Sequence, residues 1–413
     1  MERYDQLYAL YADFDTETLR AYRDFVDLFP PVDSRVALGY WERANRKLRE
    51  HEEEIAAAFS DGEAFAELAA HATREQAFTA LDLYATYERG VNVLVLDVDE
   101  TLRSAGQTDN EIPRETLHYL TEFHEAGVPI VICTGQTLEN VKGFLIQGLG
   151  NELVHSGDVS VVYEAGTGVF TPGHGSDTKR LLYEDLDDAV TDVFDAVRSR
   201  ILPEAPESIR RGCHLQGNEF NVTLKPNYET GSDDAEAVID EAMVYVLDLL
   251  AEAVPGADAE HTRAYYAAAD PEIDRVLDDE GESIDPESVE IPDDVASVLD
   301  RIDVAYYEAD AAEIASRELN KVVGVEAALE VLGVDDPFAL VMGDSKSDLR
   351  VMEWVAAEDA GIAAAPEHAS GRVLEHVRGA DGLVFDAGAA DDVLRTAFAL
   401  NRLAERERSA TDR

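Results

Sequence analysis

Lysine is nearly missing from this chain: only Lys47, Lys142, Lys179, Lys225, Lys321 and Lys346 occur among 413 residues. Lysine and arginine together number 34 against 87 acidic residues, a formal net charge of -53. A field of that sign repels phosphate backbones and anionic lipid surfaces, so neither nucleic acid nor membrane is an expected partner. The two cysteines, Cys133 and Cys213, are too few for a disulfide framework. No apolar run approaches the ~18 residues that a membrane-spanning helix needs. The opening MERYDQLYAL has neither the basic nor the apolar region of a signal peptide. A soluble, cytoplasmic protein is expected.

What is present is a foldable chain with an acidic skin. Hydrophobic residues make up 46%, and the acid is spread along apolar-periodic segments instead of gathered in a disordered tail. The length leaves room for two or three domains, each with its own core. An acidic, lysine-poor, alanine-rich surface resembles that of cytosolic proteins from extreme halophiles, where concentrated salt screens self-repulsion. Against so sparse a background, a lysine inside a motif carries information.

Residues 1–89 read as helices alone. Pro30-Pro31 breaks the first pair from a long helix in which Trp41, Ala44, Leu48, Ile55 and Phe59 keep helical spacing. Ser60-Asp61-Gly62 punctuates, and Thr73 is placed to cap a last helix through Tyr87. The pattern changes at Gly90. Val91 to Leu96 is an almost unbroken apolar run ending in Asp97, as in a strand buried on both faces of a parallel sheet. A helix then opens near Pro113 and stops at Gly127, Val128 to Cys133 gives a second strand, and Thr134-Gly135 leads into another helix. Phe338 to Met342, Gly361 to Ala365 and Leu383 to Phe385 continue the series. Such alternation predicts an α/β fold with a doubly wound parallel sheet.

The middle of the chain differs. Leu186, Val190, Val193, Val197 and Ile201 mark an amphipathic helix, while Phe220, Val222 and Leu224 alternate with Asn221, Thr223 and Lys225. A sheet with one wet face is implied, within an inserted α+β cap. Residues 254–300, acidic and rich in turn formers, are expected to be in part a long loop. The domain reading is therefore an N-terminal helical region (1–89), a discontinuous α/β core (90–135 and 321–405), a cap (136–320) and a short tail (406–413).

Ligands of open α/β sheets sit beyond the carboxyl ends of the strands. Three such ends carry polar groups: Asp97-Val98-Asp99-Glu100-Thr101, Thr134-Gly135, and Gly343-Asp344-Ser345-Lys346-Ser347-Asp348. Asp97 and Asp99 leave their strand two residues apart, so both can approach one site. Crowded carboxylates repel each other unless a hard cation joins them, and oxygen ligands select Mg²⁺. Alternatively each aspartate merely caps the helix that follows. One aspartate alone favours that simpler reading; three strand ends together do not.

This ordered set resembles the haloacid dehalogenase-like superfamily of aspartyl-phosphate phosphatases. Asp97-Val98-Asp99-Glu100-Thr101 matches its first motif, Thr134 the second, Lys321 the third, and Gly343-Asp344 with Asp348 the fourth. The resemblance implies roles. Asp97 would be the nucleophile and a Mg²⁺ ligand. Asp99 would act as general acid and base, with its backbone carbonyl on the metal. Thr134 and the Gly135 amide would bind the phosphoryl group with Lys321, and Asp344 and Asp348 would complete the metal site. An insert after the second motif resembles the α+β caps of sugar-phosphate phosphatases and phosphomannomutase-type relatives. Tyr163-Glu164-Ala165-Gly166 is similar to their Glu-Asn-Gly segment, with alanine in place of asparagine. Lys225, Arg210, Arg211 and His214 are cap candidates for meeting an anion.

The resulting expectation is hydrolysis of a small phosphorylated metabolite, a sugar or polyol phosphate. A phosphomutase using the same aspartyl-phosphate stands as an alternative. So does a binding or assembly protein acting through residues 1–89, which are also the candidate surface for a homo-oligomer.

Overall fold

The computed structural model describes residues 2–29, 35–60, 62–103 and 111–411; Pro30-Pro31 and Asp61 lie outside them. The chain divides into two compact units. Residues 1–162, 169–179 and 325–413 form one, and 163–168 and 180–324 form the other.

The first unit opens with five helices, α1 (Glu2–Asp13), α2 (Thr16–Leu28), α3 (Arg35–Ala58), α4 (Gly62–His71) and α5 (Arg74–Tyr87). Thr73 caps α5: its hydroxyl accepts from the Gln76 amide, and the Gln76 side chain accepts from the Thr73 amide. Next come β1 (Val93–Asp97), α6 (Arg114–Glu125), β2 (Ile130–Cys133), α7 (Leu138–Val154), β3 (Val159–Tyr163) and β4 (Gly168–Phe170). In the second unit β5 (Arg180–Leu181), α8 (Asp188–Arg200), α9 (Glu207–Gly212), β6 (Cys213–Asn218), β7 (Asn221–Pro226) and α10 (Ser232–Ala253) lead to α11 (Ala259–Ala269), α12 (Pro271–Asp279) and α13 (Asp293–Leu299). After these come β8 (Ile302–Tyr307), β9 (Ala311–Ser316) and α14 (Lys321–Leu332), whose first four residues belong to the second unit and the rest to the first. The first unit continues with β10 (Ala339–Met342), α15 (Lys346–Ala357), β11 (Gly361–Pro366), α16 (Gly371–Gly379), β12 (Leu383–Phe385) and α17 (Ala390–Thr411).

The fold is α/β, as expected. The sheet of the first unit runs β12-β11-β10-β1-β2-β3-β4. Its first six strands are parallel, with Val93 opposite Ala339 and Leu94 opposite Ile130. Every residue of β1, β2 and β10 is buried, which is why these strands read as unbroken apolar runs. The N-terminal helices belong to this unit. Arg395 of α17 ties two of them together: Nη1 and Nη2 each lie 3.1 Å from Asp24 of α2, and Nη1 lies 3.2 Å from the His71 carbonyl of α4.

In the second unit β6-β7-β9-β8 form an antiparallel sheet. Val222, Leu224, Ile314 and Val304 share its buried face, while Asn221, Thr223, Lys225 and Glu313 share the other. Phe220, placed in the strand by its alternation, lies instead in the tight turn before β7 and is buried there. Residues 254–300 need a correction too. Most of this stretch is helical; residues 254–258 and 280–292 stay irregular, the latter around a short 3-10 turn. The acid that suggests a loop serves as helix caps: Asp258 accepts from the His261 amide at 2.9 Å and Asp270 from the Glu272 amide at 2.9 Å. Tyr266 in the first of these helices and Ile273, Val276 and Leu277 in the second are buried.

Candidate active site

The central strands β1 and β10 are parallel neighbours, so their carboxyl ends share one edge of the sheet. Asp97 is the last residue of β1, Asp344 follows β10, and Asp348 sits in the first turn of α15. Oxygens of these three carboxylates lie within 4.8 Å of one another. Asp97 and Asp348 are buried, with 7% and 3% of their surface exposed. Carboxylates crowded at that spacing repel one another, and a cation with hard-oxygen preference relieves the repulsion. The all-oxygen donor set fits Mg²⁺.

Local structure holds the cluster in place. Asp348 Oδ2 accepts from the Ser345 amide at 3.0 Å and from Ser345 Oγ at 2.6 Å, which fixes one side of its carboxylate. Thr101 Oγ1 stands 3.5 Å from Asp344 Oδ1. Gly343 is required by space. A Cβ there would sit 2.3 Å from the Asp348 Cβ.

The Asp99 side chain is turned to other partners. Its Oδ1 accepts from Arg103 Nε at 2.9 Å and also from Arg103 Nη2, and its Oδ2 accepts from Gln136 Nε2 at 2.6 Å. What the sequence assigns to Asp99 at the metal is its backbone carbonyl, which this arrangement leaves aside. Thr134 is buried, accepts from the Gln136 amide at 3.0 Å and donates its own amide to the Val162 carbonyl at 2.9 Å. At Gly135 an added Cβ would meet nothing within 4 Å, so space alone does not demand glycine there. Arg103 and Gln136 are the site residues that sequence reasoning passes over. The only trace of them is an arginine four positions from Asp99 and an amide directly after Gly135.

Lys321 belongs to the second unit as the first residue of α14, and only 3% of it is exposed. Asn320 caps this helix, accepting from the Val322 amide at 2.8 Å. A Cβ on Gly166 would come within 2.0 Å of the Asn320 carbonyl oxygen, so the approach of these two segments demands glycine. Glu164, Ala165 and Gly166 have φ of 49°, 56° and 100°, a run of left-handed backbone. Asn218 Nδ2 secures it by donating to the Glu164 carbonyl at 2.8 Å. The cap cations are mostly engaged. Arg211 pairs with Glu207 at 2.9 Å, Lys225 pairs with Asp310 at 3.2 Å, and His214 Nδ1 lies 3.1 Å from the Pro226 carbonyl, while Arg210 is exposed. No helix among the described residues is long and apolar enough to cross a membrane.

Residues 94–160 match the family model of the haloacid dehalogenase-like hydrolases. No curated protein matches the chain in sequence. Among solved structures, trehalose-6-phosphate phosphatase from Aspergillus fumigatus is 16% identical with a TM-score of 0.42, covering 79% of this chain and 97% of its own. A haloacid dehalogenase-like hydrolase from Bacteroides thetaiotaomicron is 14% identical with a TM-score of 0.39, covering 76% and 99%. A sugar phosphatase of haloacid dehalogenase subclass IIB is 16% identical with a TM-score of 0.43, covering 76% and 100%. Likenesses at such low scores and identities do not bear on substrate or mechanism. The family match runs from β1 to the start of β3, and over that stretch the chain is similar to the haloacid dehalogenase-like hydrolases.

Proposed function

We propose that this chain is a Mg²⁺-dependent phosphatase that cleaves a small phosphorylated metabolite through an aspartyl-phosphate on Asp97. The convergence of the Asp97, Asp344 and Asp348 carboxylates at the edge of a parallel sheet carries the reading. Asp97, Asp344, Asp348 and the Asp99 carbonyl would hold the ion. Bound there, it would neutralise phosphoryl oxygens and suppress the repulsion between substrate and nucleophile.

The protein's own groups do the rest. A carboxylate oxygen of Asp97 attacks phosphorus, and the bond from phosphorus to the ester oxygen breaks. Asp99 gives its proton to the departing oxygen. Water then attacks the phosphorus of the acyl phosphate while Asp99 takes up its proton, releasing inorganic phosphate and restoring Asp97. Thr134, the Gly135 amide and Lys321 bind the phosphoryl oxygens throughout.

The test separates the two aspartates. Asp97→Asn removes the attacking charge, and turnover with Mg²⁺ is expected to fall by at least ~10³, about 4 kcal/mol of barrier. With an ester of good leaving group, acid-quenched mass spectrometry is expected to find added phosphate on Asp99→Asn and none on Asp97→Asn. Wild-type phosphate release by Asp97→Asn would overturn the covalent route. A panel of phosphorylated sugars and polyols then identifies the substrate.

A further inference from the structure

Helix α3 carries its charge in an unusual order. Residues 35–49 hold Arg35, Arg43, Arg46, Lys47 and Arg49 against the single acid Glu42. Residues 50–58 hold Glu50, Glu52, Glu53 and Glu54 and no lysine or arginine. A helix macrodipole favours the reverse, acid at the N-terminal end and base at the C-terminal end, by roughly 0.3–1 kcal/mol per terminal charge. The order is therefore not explained by the stability of the helix itself. It also concentrates five of the chain's 34 basic side chains in one short segment of a molecule with net charge -53.

Contacts within the chain account for only part of it. Arg23 of α2 reaches Glu52 at 2.5 Å, and Lys47 reaches Glu50 at 2.6 Å. Arg46, Arg49, Glu53 and Glu54 are exposed and make no ion pair among the described residues. Only Ala44, Leu48 and Ile55 of α3 are buried. The solvent side of the helix presents a groove of about 580 Å³ lined by Trp41, Asn45, Arg46, Arg49, Glu50 and Glu53. Tyr40 and Val36, nearer its start, are 55% and 82% exposed.

We propose that α3 is a self-complementary docking surface, and that its occupant is the α3 of a second copy lying antiparallel to it. With the two-fold axis crossing between Arg49 and Glu50, Arg46 of each copy stands opposite Glu53 of the other, and Arg49 opposite Glu50. Trp41 then lies over Ala57 and Ala58, whose small side chains leave room for the indole. Every pair occurs twice, as an isologous interface requires. Two bodies of charge -53 repel over most of their surfaces, and the basic half of α3 is a local exception at which they can meet. The 24-residue helix is ~36 Å long, enough for a seam within reach of the ~800 Å² per partner of a standard interface.

Light scattering on the full chain in about 1 M KCl tests the proposal, with far-ultraviolet dichroism as a check on folding. Wild type is expected near twice the chain mass of 45.3 kDa. Arg46→Glu with Arg49→Glu, and separately Glu50→Arg with Glu53→Arg, are each expected to weaken self-association at least tenfold. Mixing these two variants is expected to restore a dimer, because one now presents only acid along the seam and the other only base. Should a reversal fail to fold, glutamine at the same positions replaces it. A monomeric wild type, a dimer indifferent to both reversals, or a mixture that stays monomeric would each overturn the inference.

Discussion

Arg103 holds the carboxylate of Asp99 from four residues further along the chain, its Nε 2.9 Å from Oδ1, so the group proposed to move the proton is fixed before substrate arrives. Gln136 fixes the second oxygen from the loop after β2.

Removing that restraint should therefore harm proton transfer more than phosphoryl binding. Arg103→Met is expected to lower kcat by about tenfold to a hundredfold for an alkyl phosphate, whose leaving oxygen needs a proton. For an aryl phosphate with an acidic leaving group the loss should be small, and KM should change little in both cases. Equal losses on the two esters would show that Arg103 does not act through Asp99.

Gly343 makes a second test. In Gly343→Ala the new methyl group must displace Asp348, whose Cβ lies 2.3 Å from its position. Mg²⁺ affinity is expected to fall about tenfold to a hundredfold, read by calorimetry or by the Mg²⁺-dependent rise in melting temperature. Stability without metal should drop by about 1–3 kcal/mol. Unchanged Mg²⁺ binding would place the ion elsewhere.

Much of the fold is legible because buried parallel strands have so little freedom in composition. Val93 to Asp97 and Ala339 to Met342 are covered on both faces, so nothing but apolar side chains fits until Asp97 closes the one and Gly343-Asp344 follows the other. Arg103 is not legible in the same way. An arginine four residues from an acid reads as a solvated pair until the path of the intervening loop is known. Composition also misleads over residues 254–300, because Asp258 and Asp270 are equally good turn residues and helix caps. Burial of Tyr266 and Ile273 decides between them.

Acid should loosen the first unit through His71. Burial, aided by the nearby positive charges of Arg23, His118 and Arg395, holds this imidazole down at about 3. An unfolded chain protonates the same group near 6.5. The folded form is thus fully favoured above about pH 6.5, and stability is lost as pH falls towards 3, by up to about 1.4 kcal/mol per unit. Urea unfolding of wild type and His71→Gln at about pH 7.5 and pH 5 isolates the term, since the carboxylates are common to both. The variant should lose less stability over that interval, and identical losses would contradict a neutral buried His71.

Salt should act in the opposite direction on the whole molecule. Self-repulsion of a -53 chain extends over ~10 Å at 0.1 M ionic strength but only ~3 Å at 1 M. The melting temperature is expected to climb as KCl rises into the molar range. A midpoint indifferent to salt would remove the halophilic reading.

The place of β1 between β2 and β10 has a consequence for synthesis. Phe338 donates its amide to the Asn92 side chain, 246 positions earlier, and the strands zip together from there. While a ribosome is still making the second unit, β1 and β2 must wait with one edge of their sheet unpaired and apolar. Residues 180–324, by contrast, are contiguous and can fold as they emerge. Ordering of the nascent chain should therefore run from the middle outwards. The exposed edge of β1 is then the point at which slow translation or early release would invite aggregation.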